Sequence, residues 1–181
     1  ALNLRIRMPI VGYDCPRNFI TKIKSYAKVC SIPNSMTVLP ELLPVALDLM
    51  ESRVTGTYNF TNPGVISHNE ILQMYKEKVD PDFTWENFTI EEQNEVLASK
   101  RSNNRLDTTK LESVASIRPI KEAIADLLDD YVVAVSLDKA ETNHLPDRAS
   151  THVLVTGGCG FIGSNFVNHL HTTTNNIRIT N

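Results

Sequence analysis

Apolar and polar residues alternate from the start of the chain. Leu2-Asn-Leu-Arg-Ile-Arg-Met8 places an apolar side chain at every second position, the period of a strand with one buried face. Farther on the period lengthens to that of helices. Pro40 suits a first helical turn, Leu43, Leu47 and Met50 recur on one face, and Gly56 is expected to stop the helix before a strand over Thr57 to Phe60. Pro44 is expected to shorten or delay that helix. Ser67-His-Asn-Glu70 and Thr89-Ile-Glu-Glu92 are capping boxes, in which the hydroxyl accepts a first-turn amide and the glutamate reaches back. The first predicts a helix that buries Ile71, Leu72 and Tyr75. Pro119 precedes Ile120, Ile124, Leu127, Leu128 and Tyr131 at helical spacing, a helix that would close a first module. Short strands alternating with capped helices predict an α/β or α+β unit rather than a bundle.

Leu137 to Thr151 has neither period and reads as a linker. An apolar run, Val153-Leu154-Val155, then leads directly into Thr156-Gly157-Gly158-Cys159-Gly160-Phe161-Ile162-Gly163. Glycines at 157, 160 and 163 permit a tight turn, close approach of a pyrophosphate, and close packing of the following helix on the strand. Amides near Phe161, Ile162 and Gly163 would lie at a helix N-terminus, where free N–H groups and the helix dipole favour phosphate. The cofactor-binding candidates are therefore Gly157, Gly160, Phe161, Ile162 and Gly163. A Walker-type loop is excluded, because no Gly-Lys-Ser/Thr follows. Ile177-Arg-Ile179 begins a second strand, and the acidic residue that would read the adenosine ribose falls at or beyond Asn181. So short a unit is expected to bind no NAD by itself. The first residue is Ala1, and the opening strand reads as mid-domain, so the chain is expected to be a piece of a longer product.

Bulk properties narrow the partners. The 181 residues carry 18 basic and 21 acidic side chains, a net charge of -3, which gives no electrostatic reason for a nucleic-acid or membrane-surface partner. Three cysteines without metal-ligand spacing, and no apolar run long enough to span a bilayer, point to a soluble cytoplasmic protein with no metal site.

Val153-Leu-Val-Thr-Gly-Gly-Cys-Gly-Phe-Ile-Gly-Ser-Asn165 resembles the opening of extended short-chain dehydrogenases, particularly nucleotide-glucose 4,6-dehydratases; that likeness covers 152–181. Residues 2–131 resemble the C-terminal half of a UDP-4-keto-6-deoxyglucose 3,5-epimerase/4-reductase of rhamnose synthesis. This likeness rests on Leu4-Arg-Ile-Arg-Met-Pro-Ile10, Pro16-Arg-Asn-Phe-Ile-Thr-Lys22, Ile32-Pro-Asn-Ser-Met-Thr-Val38, Tyr58-Asn-Phe-Thr-Asn-Pro-Gly-Val65 and Arg101-Ser-Asn-Asn104. The implied fold is α/β, a partial NAD(P)-binding Rossmann-type fold. Its substrate-side half (1–131) and a linker (132–151) precede the start of a second Rossmann domain (152–181).

The resemblance implies NAD for dehydration, NADPH for reduction, a UDP- or dTDP-linked sugar as substrate, and homodimers of the complete enzymes. Similar bifunctional proteins carry the dehydratase first, whereas here the order is reversed; a tandem repeat, a rearranged gene or a joined gene model would each produce it. Short-chain dehydrogenases act through Tyr-x-x-x-Lys, the lysine lowering the tyrosine pKa for proton exchange with the sugar. Tyr13, Tyr26, Tyr58, Tyr75 and Tyr131 are followed at that distance by Arg17, Cys30, Asn62, Val79 and Val135. No catalytic residue is named, and the isolated chain is expected to be inactive. The resemblance sets Arg101, Asn103, Asn104 and Ser35 against the substrate, and brings Arg5 or Arg7 near the nucleotide. The plain alternatives are a solvated arginine among turn-forming asparagines, a loop-to-helix serine and a solvated or paired sheet face. His68 reads as a helix-start residue, and Trp85 with Phe83 and Phe88 as packing against the helices.

Overall fold

The structure, a computed structural model, describes residues 1–98, 101–132, 151–155, 160–173 and 177–180. The chain divides into two compact units, Ala1–Ala134 and Val135–Asn181.

In the first unit, strand β1 (Leu2–Arg5) is followed by β2 (Pro9–Ile10), helix α1 (Phe19–Lys24), β3 (Lys28–Val29), β4 (Thr37–Val38) and α2 (Leu39–Glu51). Then come β5 (Gly56–Asn59), α3 (His68–Lys78), β6 (Glu86–Asn87), α4 (Ile90–Val96), α5 (Thr109–Glu112) and α6 (Ile120–Asp129). All named pairings here are parallel: β1 with β5, β2 with β4, and β3 with β6. Parallel strands need crossover connections, and the helices supply them. The first strand is shorter than its alternation predicts. It ends at Arg5 because Met8 turns into the left-handed region at φ 43°, which bends the backbone between β1 and β2 and leaves Ile6 38% exposed.

Two apolar cores result. In one, Ile20 and Ile23 of α1, Ile71, Leu72 and Tyr75 of α3, and Ile120, Ile124 and Leu128 of α6 pack together beneath β2 and β4. In the other, Leu42, Ala46 and Leu49 of α2 meet Tyr58, Phe60 and Leu111. Both capping boxes form as their spacing requires, at Ser67–Glu70 and Thr89–Glu92. Phe83 and Trp85 pack on the first core, where the Trp85 indole donates to Asn69 Oδ1 at 2.9 Å.

Helix α2 departs from the expected pattern in three ways. It runs through Pro44 without shortening. The missing N–H would have met only the carbonyl of Pro40, four residues back, and six buried side chains on either side of the proline outweigh that loss. Gly56 does not stop it: Ser52 is the cap, Arg53 takes φ 54°, and amides of Arg53 and Val54 close onto the carbonyls of Met50 and Leu49. That is a Schellman stop with arginine in the left-handed place usually given to glycine. Met50 is 40% exposed, and Leu39, Leu42, Leu43, Ala46, Leu47 and Leu49 make the buried face instead.

Among the helices lies a polar knot. Asp14 Oδ1 accepts from Lys24 Nζ (2.8 Å), Thr21 Oγ1 (2.9 Å) and the Tyr131 hydroxyl (2.9 Å), while Lys24 Nζ also donates to the Tyr75 hydroxyl. Lys24 lies over the Tyr75 ring, 4.2 Å from its centroid. Burial, with Asp14 beside it, raises the Tyr131 phenol and keeps it protonated. Val132 extends this edge, exchanging backbone hydrogen bonds with Gly12 and Asp14.

In the second unit, β7 (Thr151–Leu154) pairs parallel with β8 (Ile177–Thr180) across helix α7 (Phe161–Thr173). This is the strand, helix, strand order expected from sequence. Leu170 of α7 is buried, and Phe161, Ile162, Phe166 and Val167 are half-buried. The expected linker falls mainly outside the described residues, as do Gly157 and Gly158 of the glycine loop. No helix among the described residues is long and apolar enough to cross a membrane.

Burial alone would raise the Asp14 carboxyl, yet hydrogen bonds from Lys24, Thr21 and Tyr131 and the Lys24 charge hold it below its usual 3.8. A depressed carboxylate stabilises the fold above its unfolded pKa, and the contribution is lost as pH falls through the folded value. Asp14→Asn is expected to cost roughly 2 kcal/mol at pH 7 and to flatten the fall in stability below pH 3.8. Urea unfolding of both proteins across pH 2 to 7 checks this; parallel curves would remove Asp14 from the account.

Candidate functional site

The left-handed turn at Met8 positions Arg7. Its backbone amide donates to Thr37 Oγ1 at 3.1 Å, and Nη2 donates to Asn34 Oδ1 at 2.7 Å and to the Ser102 carbonyl at 2.6 Å. Arg7 Nε is buried without a partner. A guanidinium held this way keeps donors in reserve for a further acceptor.

Asn34 organises the loop opposite. Fully buried, it exchanges backbone hydrogen bonds with Ile66. Its Oδ1 takes the Asn104 amide at 3.0 Å as well as Arg7, and its Nδ2 donates to the Ile32 carbonyl and to Asn103 Oδ1, each at 3.1 Å. Ser35 continues the clasp: its amide donates to the Asn104 carbonyl, and its hydroxyl accepts from the Leu106 amide at 2.9 Å.

A cleft of about 830 Å³ opens beside this clasp. One set of lining residues is polar and cationic: Arg7, Arg101, Ser102 and Asn103. Another is apolar and aromatic, with Met8, Phe19, Val29, Ile32 and Phe88, and His68 between them. Among the described residues no carboxylate forms an ion pair with Arg7 or Arg101. Such a volume, apolar walls and a few convergent polar groups suit a small organic anion. His68 is the first residue of α3; its Nδ1 is buried without a partner, its ring meets that of Phe19 at 5.4 Å, and burial lowers its pKa. Burial also raises the thiol of Cys30, which lines the same cleft near Glu91.

Arg101 and Asn103 thus stand on the cleft, as does Arg7. Ser35 and Asn104 do not line it. Ser35 is fully buried with its hydroxyl engaged, so it fastens the 102–106 segment where contact with substrate was expected of it. Asn104 serves the same clasp through its backbone. Asn34 and Phe19 lay inside the motifs that carried the resemblance, yet nothing local assigned either a role. In the glycine loop, Gly160 precedes α7, with Phe161, Ile162 and Gly163 in its first turn. These three residues therefore sit at a helix start, as expected, and Gly157 lies outside the described residues.

A bifunctional dTDP-4-dehydrorhamnose 3,5-epimerase/dTDP-4-dehydrorhamnose reductase of Arabidopsis thaliana is 57% identical over 123 residues, which cover 67% of this chain and 41% of that protein. The resemblance is to enzymes of rhamnose synthesis. A trifunctional UDP-glucose 4,6-dehydratase/UDP-4-keto-6-deoxy-D-glucose 3,5-epimerase/UDP-4-keto-L-rhamnose-reductase of the same plant is 52% identical over 130 residues, 71% of this chain and 19% of the relative. The crystal structure of the L780 UDP-rhamnose synthase from Acanthamoeba polyphaga mimivirus superposes with a TM-score of 0.69 at 49% identity, over 71% of this chain and 45% of that one. The chain therefore spans less than half the length of each of these relatives, and its match is to their epimerase/reductase portion. No family model matches it.

Asn34→Ala removes a side chain that joins four partners and leaves buried polar groups unpaired. The expected loss is roughly 3 kcal/mol, accompanied by faster protease cleavage within 101–106. Denaturant unfolding and limited proteolysis read the two effects; unchanged cleavage would show that the segment is held by something else.

Proposed function

We propose that Ala1–Ala134 is the substrate-side half of a nucleotide-sugar epimerase/reductase of rhamnose synthesis, and that its cleft binds the nucleotide of a UDP- or dTDP-linked sugar. The observation that carries this reading is the pair of arginines, Arg7 and Arg101, on one cleft with no carboxylate partner among the described residues. A diphosphate supplies the acceptors that Arg7 Nε and the Arg101 fork lack, in the parallel geometry a guanidinium favours. Asn103 adds a polar contact from the same loop, while Asn34, Ser35 and Asn104 hold that loop in place. The apolar side gives a flat ring a surface to pack on.

Reduction of a keto sugar needs a nicotinamide hydride, and in the complete enzyme NADPH would serve the reductase and NAD the dehydratase. In this chain Gly157, Gly160, Phe161, Ile162 and Gly163 are the residues that would hold a pyrophosphate. The absence of Tyr-x-x-x-Lys from the sequence favours binding without turnover by this chain alone. That same absence supports a second reading, a non-catalytic nucleotide-sugar binding protein derived from such an enzyme.

Calorimetric titration with UDP and dTDP tests the site. The chain is expected to bind at least one of them, and Arg101→Ala, an exposed position, to weaken that binding about tenfold without altering the melting temperature. Failure to bind either nucleotide would sink the assignment. Incubation with NADPH and a 4-keto-6-deoxy nucleotide sugar is expected to leave NADPH unoxidised; turnover would overturn the claim that the chain alone is inactive.

A further inference from the structure

We infer that His68 reads the pyrimidine ring of the nucleotide, donating one hydrogen bond from Nε2–H to a ring carbonyl while Phe19 packs alongside. This rests on the nucleotide-binding reading above and goes beyond it by naming the group that selects the base. Three observations support it. The position is fixed: Ser67 caps α3 and Glu70 closes the capping box, so the backbone of His68 cannot drift. The ring lines the cleft, tilted 58° to Phe19 with centroids 5.4 Å apart. Its Nδ1 is buried and unpartnered, which leaves Nε2 as the nitrogen towards the cleft.

The protonation follows from burial. Desolvation disfavours the imidazolium, so the ring carries a single proton. A buried N–H without an acceptor is rarer in folded proteins than an under-satisfied acceptor, which assigns the proton to Nε2. The cleft therefore contains a neutral, directional donor set among apolar side chains. A phosphate would be drawn instead to Arg7 and Arg101, whose charge-assisted bonds are about twice as strong. Uracil and thymine offer ring carbonyls and a flat face; adenine offers no carbonyl.

The test compares UDP with ADP, which share ribose and diphosphate and differ in the base. The wild-type chain is expected to prefer UDP, and His68→Phe to weaken UDP about tenfold while leaving ADP unchanged. His68→Gln, whose amide can still donate, is expected to retain most of the preference. Should phenylalanine disturb the fold, His68→Leu removes the same donor. Equal effects on UDP and ADP, or none on either, would overturn the role of His68 while leaving the nucleotide site intact. If the wild-type chain bound neither ligand, the nucleotide reading would fall and this inference with it.

Discussion

The buried amide of Asn34 is the contact on which the cleft depends. A side-chain amide offers two donors and an acceptor with two lone pairs, and Asn34 engages all of them, with Arg7, Asn104, Ile32 and Asn103. Those partners come from the turn after the first strand, from the turn before β4 and from a loop 69 and 70 residues farther on. No apolar side chain of the same size could replace it, because each partner would keep a desolvated polar group. An aspartate could accept from Arg7 but could not donate to Ile32 or to Asn103 Oδ1. The position therefore demands an amide, and what it secures is the distance between Arg7 and the 101–104 loop.

That clasp also explains how two cations can face one cleft. Arg7 is held by neutral acceptors, an amide oxygen and a backbone carbonyl, which position a guanidinium without cancelling its charge. Other cations of the unit are paired directly: Lys24 with Asp14, Arg118 with Glu41 and Asp126, Lys121 with Glu70, and Lys28, itself on the cleft, with Glu86. Arg118 ties α2 to α6, and Lys121 ties α6 to the start of α3, so these pairs brace the helices. The contrast sets Arg7 apart from these paired cations. A charge fixed by neutral dipoles remains available to an incoming anion.

How far the sequence disclosed this follows from the range of each interaction. Both capping boxes and the apolar face of α6 were readable because their partners lie three or four residues apart. At the end of α2 Gly56 advertises a stop and Arg53 does not, although it is Arg53 that adopts the left-handed turn. Pro44 matters less than its propensity suggests for a related reason: propensity is a local cost, and the buried face of α2 is a tertiary gain. Of the residues expected at the site, Arg101 and Asn103 line the cleft, while Ser35 and Asn104 turn out to hold the loop that carries them. Nothing in a linear pattern distinguishes a residue that faces a ligand from one that supports the residue that does. Asn34 and the Asp14–Lys24–Tyr131 knot gave no signal at all, because their contacts cross the chain and polar residues have no period.

Among the described residues, those that line the cleft lie within Ala1–Ala134, and so do the partners of Arg7 and Asn34. The proposed recognition of an anion therefore draws on this unit's own side chains. In the enzyme proposed above, recognition and chemistry have different physical demands. Binding a diphosphate needs fixed donors and an uncancelled charge, whereas chemistry needs a group whose pKa is tuned to exchange a proton with the sugar. The tyrosines near the described polar groups are engaged elsewhere: burial raises the Tyr131 phenol, which is tied to Asp14, and the Tyr75 hydroxyl accepts from a lysine already paired with that carboxylate. The Lys24 ammonium that could have activated a phenol is spent on Asp14. The arrangement stabilises the helices around α3, which accords with the proposal that this unit holds a nucleotide rather than transforms its sugar.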